Sequence, residues 1–404
     1  MPPRILLLAL SDWFGPGRLP KMLRDAGFEV AIMAETGAML AQSSHVDYRF
    51  PLSAERLRLG VLGPLFATIL DYNPRFVLPC DEAAALLLQA VAVSFDGVRG
   101  PGAMLRVMVP ERVREVLLRS LGDSRSFSLR GNRVGARRAA ALMHIATPAS
   151  QAVPYLQVAE AFAETHGWPV VLTRSGRTGG ERVRICADAA ALRDAYSSLT
   201  APAPSAGPMH GLRRLVWGLA GGLRLAGDLT LPPQDGASLW IEEHIPGHPA
   251  TYSFTAHEGR VLAGFAAIAE TVQPATGIAC QVRLEPDRAM AEAAQLMVGR
   301  MVFTGLGGLH FVRRPDGRPC FLKFSPRPTA LSHLGPLAGA DLAAALMAAA
   351  TNTPAAPVAP PAPVSVTLFP QDWQRAPGAI RDAGLDDRPN DDPRLLAALQ
   401  ALVE

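Results

Sequence analysis

The sequence predicts an α/β protein: a small, doubly wound parallel sheet first, then a longer region of hairpins and helices. Three observations predict it. Apolar runs alternate with helical spacings up to about residue 105. Beyond residue 170, strand pairs recur around Gly-containing turns. The chain has 404 residues, of which 49% are hydrophobic and 19% charged, enough to bury the cores of two or three domains.

The elements follow in order. "PRILLLAL" is a continuous apolar run, as a strand covered on both faces would be. "GRLPKMLRDAGF" has the helical spacing of Leu19, Met22 and Leu23, and "EVAIMA" is a second strand. The short turn between them makes a β-α-β unit and implies parallel pairing. "PRFVLPCDEAAALLLQAV" repeats the strand-then-helix pattern, with Asp81 and Glu82 at the helix start, where negative charge is favoured. "ERVREVLLRSL" and "VGARRAAALMHIATP" are helices, and the second leads into the strand "SQAVPY". "VAEAFAETHGWP" is a helix closed at Gly167, and "VVLTRSGRTGGERVRI" is a hairpin with a Gly-rich tip. "AAALRDAYSSL" is again helical. Over 201–235 the order weakens; internal glycines argue against a membrane-surface helix and favour an insertion packed on the domain. "SLWIEEHIPG" is a strand and "TYSFTAHEGRVLAGFAAIAE" a hairpin turned at "HEGR". "MAEAAQLMVGRMVFTG" is a helix, "GLHFVRRPDGRPCFLKFSP" a hairpin, and "LAGADLAAALMAAA" a closing helix. "TPAAPVAPPAPV" is a Pro/Ala linker, and the tail beyond it is expected to pack back as a strand and a helix.

Several classes are disfavoured. The net charge of +3 offers no surface for nucleic acid. Lysine occurs at Lys21 and Lys323 alone. Cys80, Cys186, Cys280 and Cys320 are scattered without a C-x-x-C pair, so neither a zinc knuckle nor a disulfide framework is expected, and reduced thiols in the cytoplasm are. The run "ILLLAL" is too short to span a membrane. The first β-α-β has "SDWFGPGR" in place of a G-x-G-x-x-G turn, which weakens a nicotinamide-binding reading.

The order of these pieces resembles the ATP-grasp superfamily: a Rossmann-like pre-ATP-grasp domain, then a two-lobed ATP-grasp (α+β) domain. "LGGLHF" followed by "FSPRPTALSHL" is most similar to the carbamoyl-phosphate synthetase large-subunit type. The resemblance divides the chain into 1–105 (pre-ATP-grasp), 106–352 (ATP-grasp, with the insertion), 353–364 (linker) and 365–404 (tail). It implies ATP as cofactor, a small-molecule substrate, a possible homodimer, and ligase chemistry in which a carboxylate becomes an acyl phosphate and then meets an amine. Glu242 would accept from the adenine amine, and Glu243 and Ile245 would offer backbone groups to the ring. Arg133 would reach the phosphates. The Gly-rich tip keeps Ser175, Gly179 and Gly180 as a phosphate cover. Thr173 stands where the family has a phosphate-binding lysine; its neighbour Arg174 points to the other face unless the strand bulges.

The family's magnesium ligands would fall at His310, Lys323 and Ser325. Magnesium wants hard oxygen donors in an octahedron, so the metal site reads as degenerate and Mg2+ as doubtful. Arg327 remains to hold a phosphate oxygen. Two readings stay open: Lys323 replaces the metal in an active ligase, or the site has decayed into one that binds a nucleotide, metabolite or partner without ligation. Glu270 is the candidate replacement carboxylate.

Overall fold

The computed structural model describes residues 1–53, 60–93, 109–130, 133–174, 182–200, 239–274, 276–353, 362–379 and 384–403. The strands β1 (Arg4–Leu8), β2 (Glu29–Glu35), β3 (Tyr48–Leu52) and β4 (Phe76–Pro79) form a parallel sheet in the order β3-β2-β1-β4. The helices α1 (Leu19–Asp25), α2 (Leu62–Tyr72), α3 (Glu82–Val93) and α4 (Glu111–Leu121) accompany it. The apolar run of β1 is explained by its two covered faces. Ile5 and Leu7 enter one core and Leu6 and Leu8 the opposite one, as the two-residue period of a strand requires.

A second, antiparallel sheet of order β5-β8-β6-β7 contains β5 (Ser150–Ala152), β6 (Val170–Arg174), β7 (Arg182–Cys186) and β8 (Leu239–Glu243). Helix α5 (Arg133–Leu142) precedes it in the chain. Helices α6 (Leu156–His166) and α7 (Ala189–Thr200) supply Ala159, Phe162, Leu192 and Leu199 to a core with Val170, Leu172, Leu239 and Ile241. That core defines a covered face; Val171, Thr173, Trp240 and Glu242 project from the other.

The third sheet has the order β13-β12-β9-β10-β11-β14-β15: β9 (His248–His257), β10 (Arg260–Val272), β11 (Ala279–Glu285), β12 (Gly305–Arg313), β13 (Pro319–Ser325), β14 (Val364–Thr367) and β15 (Leu385–Asp386). The β9–β10 turn at "HEGR" carries positive φ at both Glu258 (50°) and Gly259 (79°), the mirror-image turn that matches strand twist. Helix α8 (Arg288–Met301) covers one face with Met290, Met297 and Val298. The other face, through Phe265, Val282 and Leu284, shares a core with β1, β4 and helix α9 (Leu342–Thr351). The parallel sheet and the large sheet are therefore joined by one hydrophobic interior.

The tail packs back as expected from its sequence. β14 pairs with β11, and helix α10 (Pro393–Gln400) sets Leu395 and Leu399 against Met39 and Phe369. Among the described residues no single helix is long and apolar enough to cross a membrane. All four cysteines are buried and free. The insertion, the linker core and the tip with Ser175, Gly179 and Gly180 lie outside the described residues.

Candidate functional site

The β12–β13 hairpin sets His310 directly opposite Lys323, and β12 sets His310 beside Thr251 of β9. Cross-strand partners share a face, so imidazole and ammonium stand side by side. Past β13 the chain turns through Ser325-Pro326-Arg327-Pro328-Thr329. The turn is tied down by Thr329, whose hydroxyl lies 2.7 Å from that of Ser253 and whose N–H donates to Ser332 Oγ at 3.0 Å. It lies close over β12: a Cβ on Gly308 would come within 2.3 Å of Thr329 Cγ2.

Arg327 leaves this turn toward the parallel sheet. Its guanidinium stacks 4.7 Å over the Trp13 ring, and its Nε lies 3.8 Å from a Glu82 carboxylate oxygen but is buried without a hydrogen-bond partner. Trp13 and Glu82 follow β1 and β4, at the carboxyl edge of a parallel sheet, where open α/β sheets place their ligands. Trp13 is fixed by its indole N–H, which donates to the Cys80 carbonyl at 2.8 Å.

Helix α5 brings two more guanidiniums. Arg137 grips both oxygens of Glu242, at 2.7 and 2.9 Å, and its Nε donates to the Leu322 carbonyl at 2.9 Å. Arg133 lies one turn away on the same face, 3.4 Å from Glu242. Arg137 and Glu242 are 4% and 3% exposed, so this is a buried ion pair linking α5, β8 and β13.

The cations converge. Burial first, then the charges of Lys323, Arg327 and Arg133, hold His310 down to about 3, so it is a neutral imidazole at pH 7. Four cationic side chains (Arg133, Arg137, Lys323 and Arg327) face two carboxylates, Glu242 and Glu82. Among the described residues Lys323 has no ion-pair partner and is half-buried. A surplus of fixed positive charge among half-buried side chains suits an anion with several oxygens.

Of the residues singled out from the sequence, Arg133, Lys323, Arg327 and Glu242 are brought together. The Glu242 carboxylate is engaged by arginine. Glu243 closes the end of β8, its N–H donating to the Ala149 carbonyl at 2.9 Å, and Ile245 is buried just beyond. Thr173 lies on the same sheet face as Glu242, buried, with its hydroxyl lacking a partner. Arg174 turns the other way and donates to the Leu199 carbonyl on α7; the strand does not bulge to exchange the two. Glu270 is a correction. It is exposed on β10, separated from β13 by β9 and β12, three strand spacings or roughly 14 Å from Lys323. It cannot replace a carboxylate there.

Arg137, Trp13 and Glu82 were missed. Arg137 carried a signal, because it lies four residues after Arg133 on a helix. Trp13 and Glu82 each follow a strand of the parallel sheet, a position that favours ligand contact.

A magnesium ion does not fit among His310, Lys323 and Ser325. Lys323 is a cation, His310 is a nitrogen donor ringed by cations, and Ser325 spends its hydroxyl on the Arg327 carbonyl at 3.4 Å. Among the described residues no three His, Cys, Asp or Glu side chains are grouped to hold a metal.

No protein-family model matches the sequence, and no curated protein matches it. Solved structures do resemble it. The biotin carboxylase domain of Hydrogenobacter thermophilus 2-oxoglutarate carboxylase, crystallised with MgADP and bicarbonate, aligns over 90% of this chain and 73% of its own, with TM-score 0.59 and 12% identity. N5-carboxyaminoimidazole ribonucleotide synthetase from Thermus thermophilus aligns over 89% and 82%, with TM-score 0.59 and 14% identity. A biotin carboxylase–β,γ-ATP complex from Campylobacter jejuni aligns over 89% and 72%, with TM-score 0.57 and 12% identity. At such identities the likeness shows the fold. It is the α/β arrangement expected from sequence: a parallel sheet with its helices, followed by two further sheets, the larger of them mixed.

Proposed function

We propose that this chain binds ATP between the face of the β5–β8 sheet that carries Thr173 and Glu242 and the β12–β13 hairpin, and uses it as an ATP-grasp-type ligase. The observation that carries the reading is the unpaired Lys323 ammonium beside neutral His310, flanked by Arg133 and Arg327. Two fold neighbours are complexes with ADP and with β,γ-ATP, which supports a nucleotide in this cleft. In the reaction, a substrate carboxylate oxygen attacks the γ-phosphorus, the bond to the β-phosphate oxygen breaks, and ADP leaves. An amine or similar nucleophile then displaces phosphate from the acyl carbon.

The roles follow from placement. Lys323 offsets charge on the phosphates where a metal ion would otherwise do so. Arg133 contributes a second cation, oriented by Glu242 together with Arg137. Arg327, braced on Trp13, holds a carboxylate or phosphate oxygen. Glu243 and Ile245 line the adenine end; on the sequence alone, Ser175, Gly179 and Gly180 are assigned to cover the phosphates. Thr173 offers its free hydroxyl, and Arg174 is structural.

The residue set at His310, Lys323 and Ser325 favours a second reading, an ATP-grasp protein that binds without ligating. Kinship with the carbamoyl-phosphate synthetase type rests on "FSPRPTALSHL" and belongs to the same proposal. So does a homodimer, for which the neighbour described as a dimer is the support.

The test is calorimetric titration of ATP with magnesium and with EDTA, followed by ADP release in the presence of carboxylate and amine mixtures. Binding should persist in EDTA, and Lys323→Glu should make it metal-dependent. Absence of ATP binding in both conditions defeats the ligase reading and the nucleotide-binding form of the second reading, leaving a metabolite or a partner as what is bound. Binding without ADP release from any mixture selects the second.

A further inference from the structure

A cavity of about 570 Å³ opens at the opposite pole of the parallel sheet, lined by Arg4, Arg75, Arg112 and Arg119 together with Asn73 and Asn352. Arg4 begins β1 and Arg75 precedes β4, whereas Trp13 and Glu82 of the nucleotide cleft follow those same strands. The length of β1 alone, Arg4 to Leu8, separates the two sites by roughly 13 Å. This is a different site from the one described above.

Its four arginines are not equivalent. Arg4 is paired to Glu29 at 2.8 Å and donates to the Tyr72 carbonyl at 3.0 Å. Arg112 is paired to Glu115 at 3.0 Å and donates to Asn73 Oδ1 at 3.0 Å. Arg75 and Arg119 have no ion-pair partner among the described residues, and Arg75 Nε is buried without a hydrogen bond. Burial, and then the charges of Arg75 and Arg112, depress the basicity of Arg119, against a smaller opposing pull from Glu115. Two part-desolvated guanidiniums repelling each other across a cavity cost stability unless an anion sits between them. The volume lies in the range of small-molecule sites.

We propose that this cavity is a second anion site, taking the phosphoryl group of a small phosphorylated metabolite through Arg75 and Arg119. The guanidinium fork matches phosphate oxygens two at a time. The site is independent of ATP use in the main cleft.

Inorganic pyrophosphate is the probe, read as a rise in melting temperature of the full chain, with citrate as a carboxylate comparison. Ligand that binds the folded state alone must raise the melting temperature. Pyrophosphate should still raise it in Lys323→Glu, whose main cleft has lost its surplus charge, and adding Arg75→Gln/Arg119→Gln in that background should abolish the rise without lowering the ligand-free value. A rise unchanged by the added pair, or lost in Lys323→Glu alone, overturns the proposal. A citrate rise equal to that of pyrophosphate overturns the phosphoryl preference. Should the double variant fail to fold, Arg119→Gln, half-exposed on α4, must weaken pyrophosphate about tenfold, as loss of one charge-assisted contact does; an unchanged affinity is again a refutation.

Discussion

Arg137 decides the chemistry that Glu242 can offer. With both carboxylate oxygens held by one guanidinium and a second nearby, the acid is a brace for cations rather than an open acceptor. Arg137→Ala would leave the buried Glu242 carboxylate with Arg133 alone at 3.4 Å and is expected to cost about 3 kcal/mol, measurable by denaturant unfolding. Arg137→Ala with Glu242→Ala should cost less than the sum of the single changes. His310 makes a prediction in pH. Its folded value of about 3 lies below the ordinary value near 6.5, so below that ordinary value the unfolded chain binds the extra proton. Stability is therefore fully present above about pH 6.5 and falls as pH drops toward 3, by up to a few kcal/mol. His310→Gln should flatten that acid limb; an unchanged slope would assign it to carboxylates instead.

At the scale of elements, the site depends on how closely the Arg327 turn lies on β12. Gly308 has no room for a Cβ because Thr329 is buried above it. Gly308→Ala should destabilise by about 1–3 kcal/mol and weaken ATP binding, since the displaced turn carries Arg327. Gly63, exposed in α2 with open space around it, is the contrast: Gly63→Ala should be neutral or stabilising by up to about 1 kcal/mol. A thermal melt of both variants checks the pair. Strand alternation was readable in advance here. Even-numbered residues of β6 meet the helices, so Arg174 had to follow Val170 and Leu172 inward, leaving Thr173 on the cleft side.

In the whole molecule, one core joins the parallel sheet to the large sheet, while the β5–β8 sheet has its own. Leu346→Ala should lower hydrogen-exchange protection in both β1 and β10, with a cost of about 2–5 kcal/mol. Ile241→Ala should lower protection in β5, β6 and β8 and leave β1 and β12 unchanged. Loss of protection spreading from Ile241→Ala across all three sheets would show the interior to be a single cooperative unit.

The sequence by itself determined the fold class, the strand-and-helix order and the hairpin turns, because these rest on periodicity and on local turn chemistry that neighbours in the chain impose. It also marked Arg133, Lys323 and Arg327 as odd or basic residues at telling places. Only the tertiary structure decided what they face. Glu270 failed as a replacement ligand because sheet order, which no local pattern encodes, put two strands between it and β13. Arg137 and Trp13 entered the site because α5 docks on β8 and β13, and because the turn after β13 reaches the edge of the parallel sheet. Electrostatics followed the same rule: the charge on a side chain is written in its residue type, but the field it feels is set by residues far away in sequence.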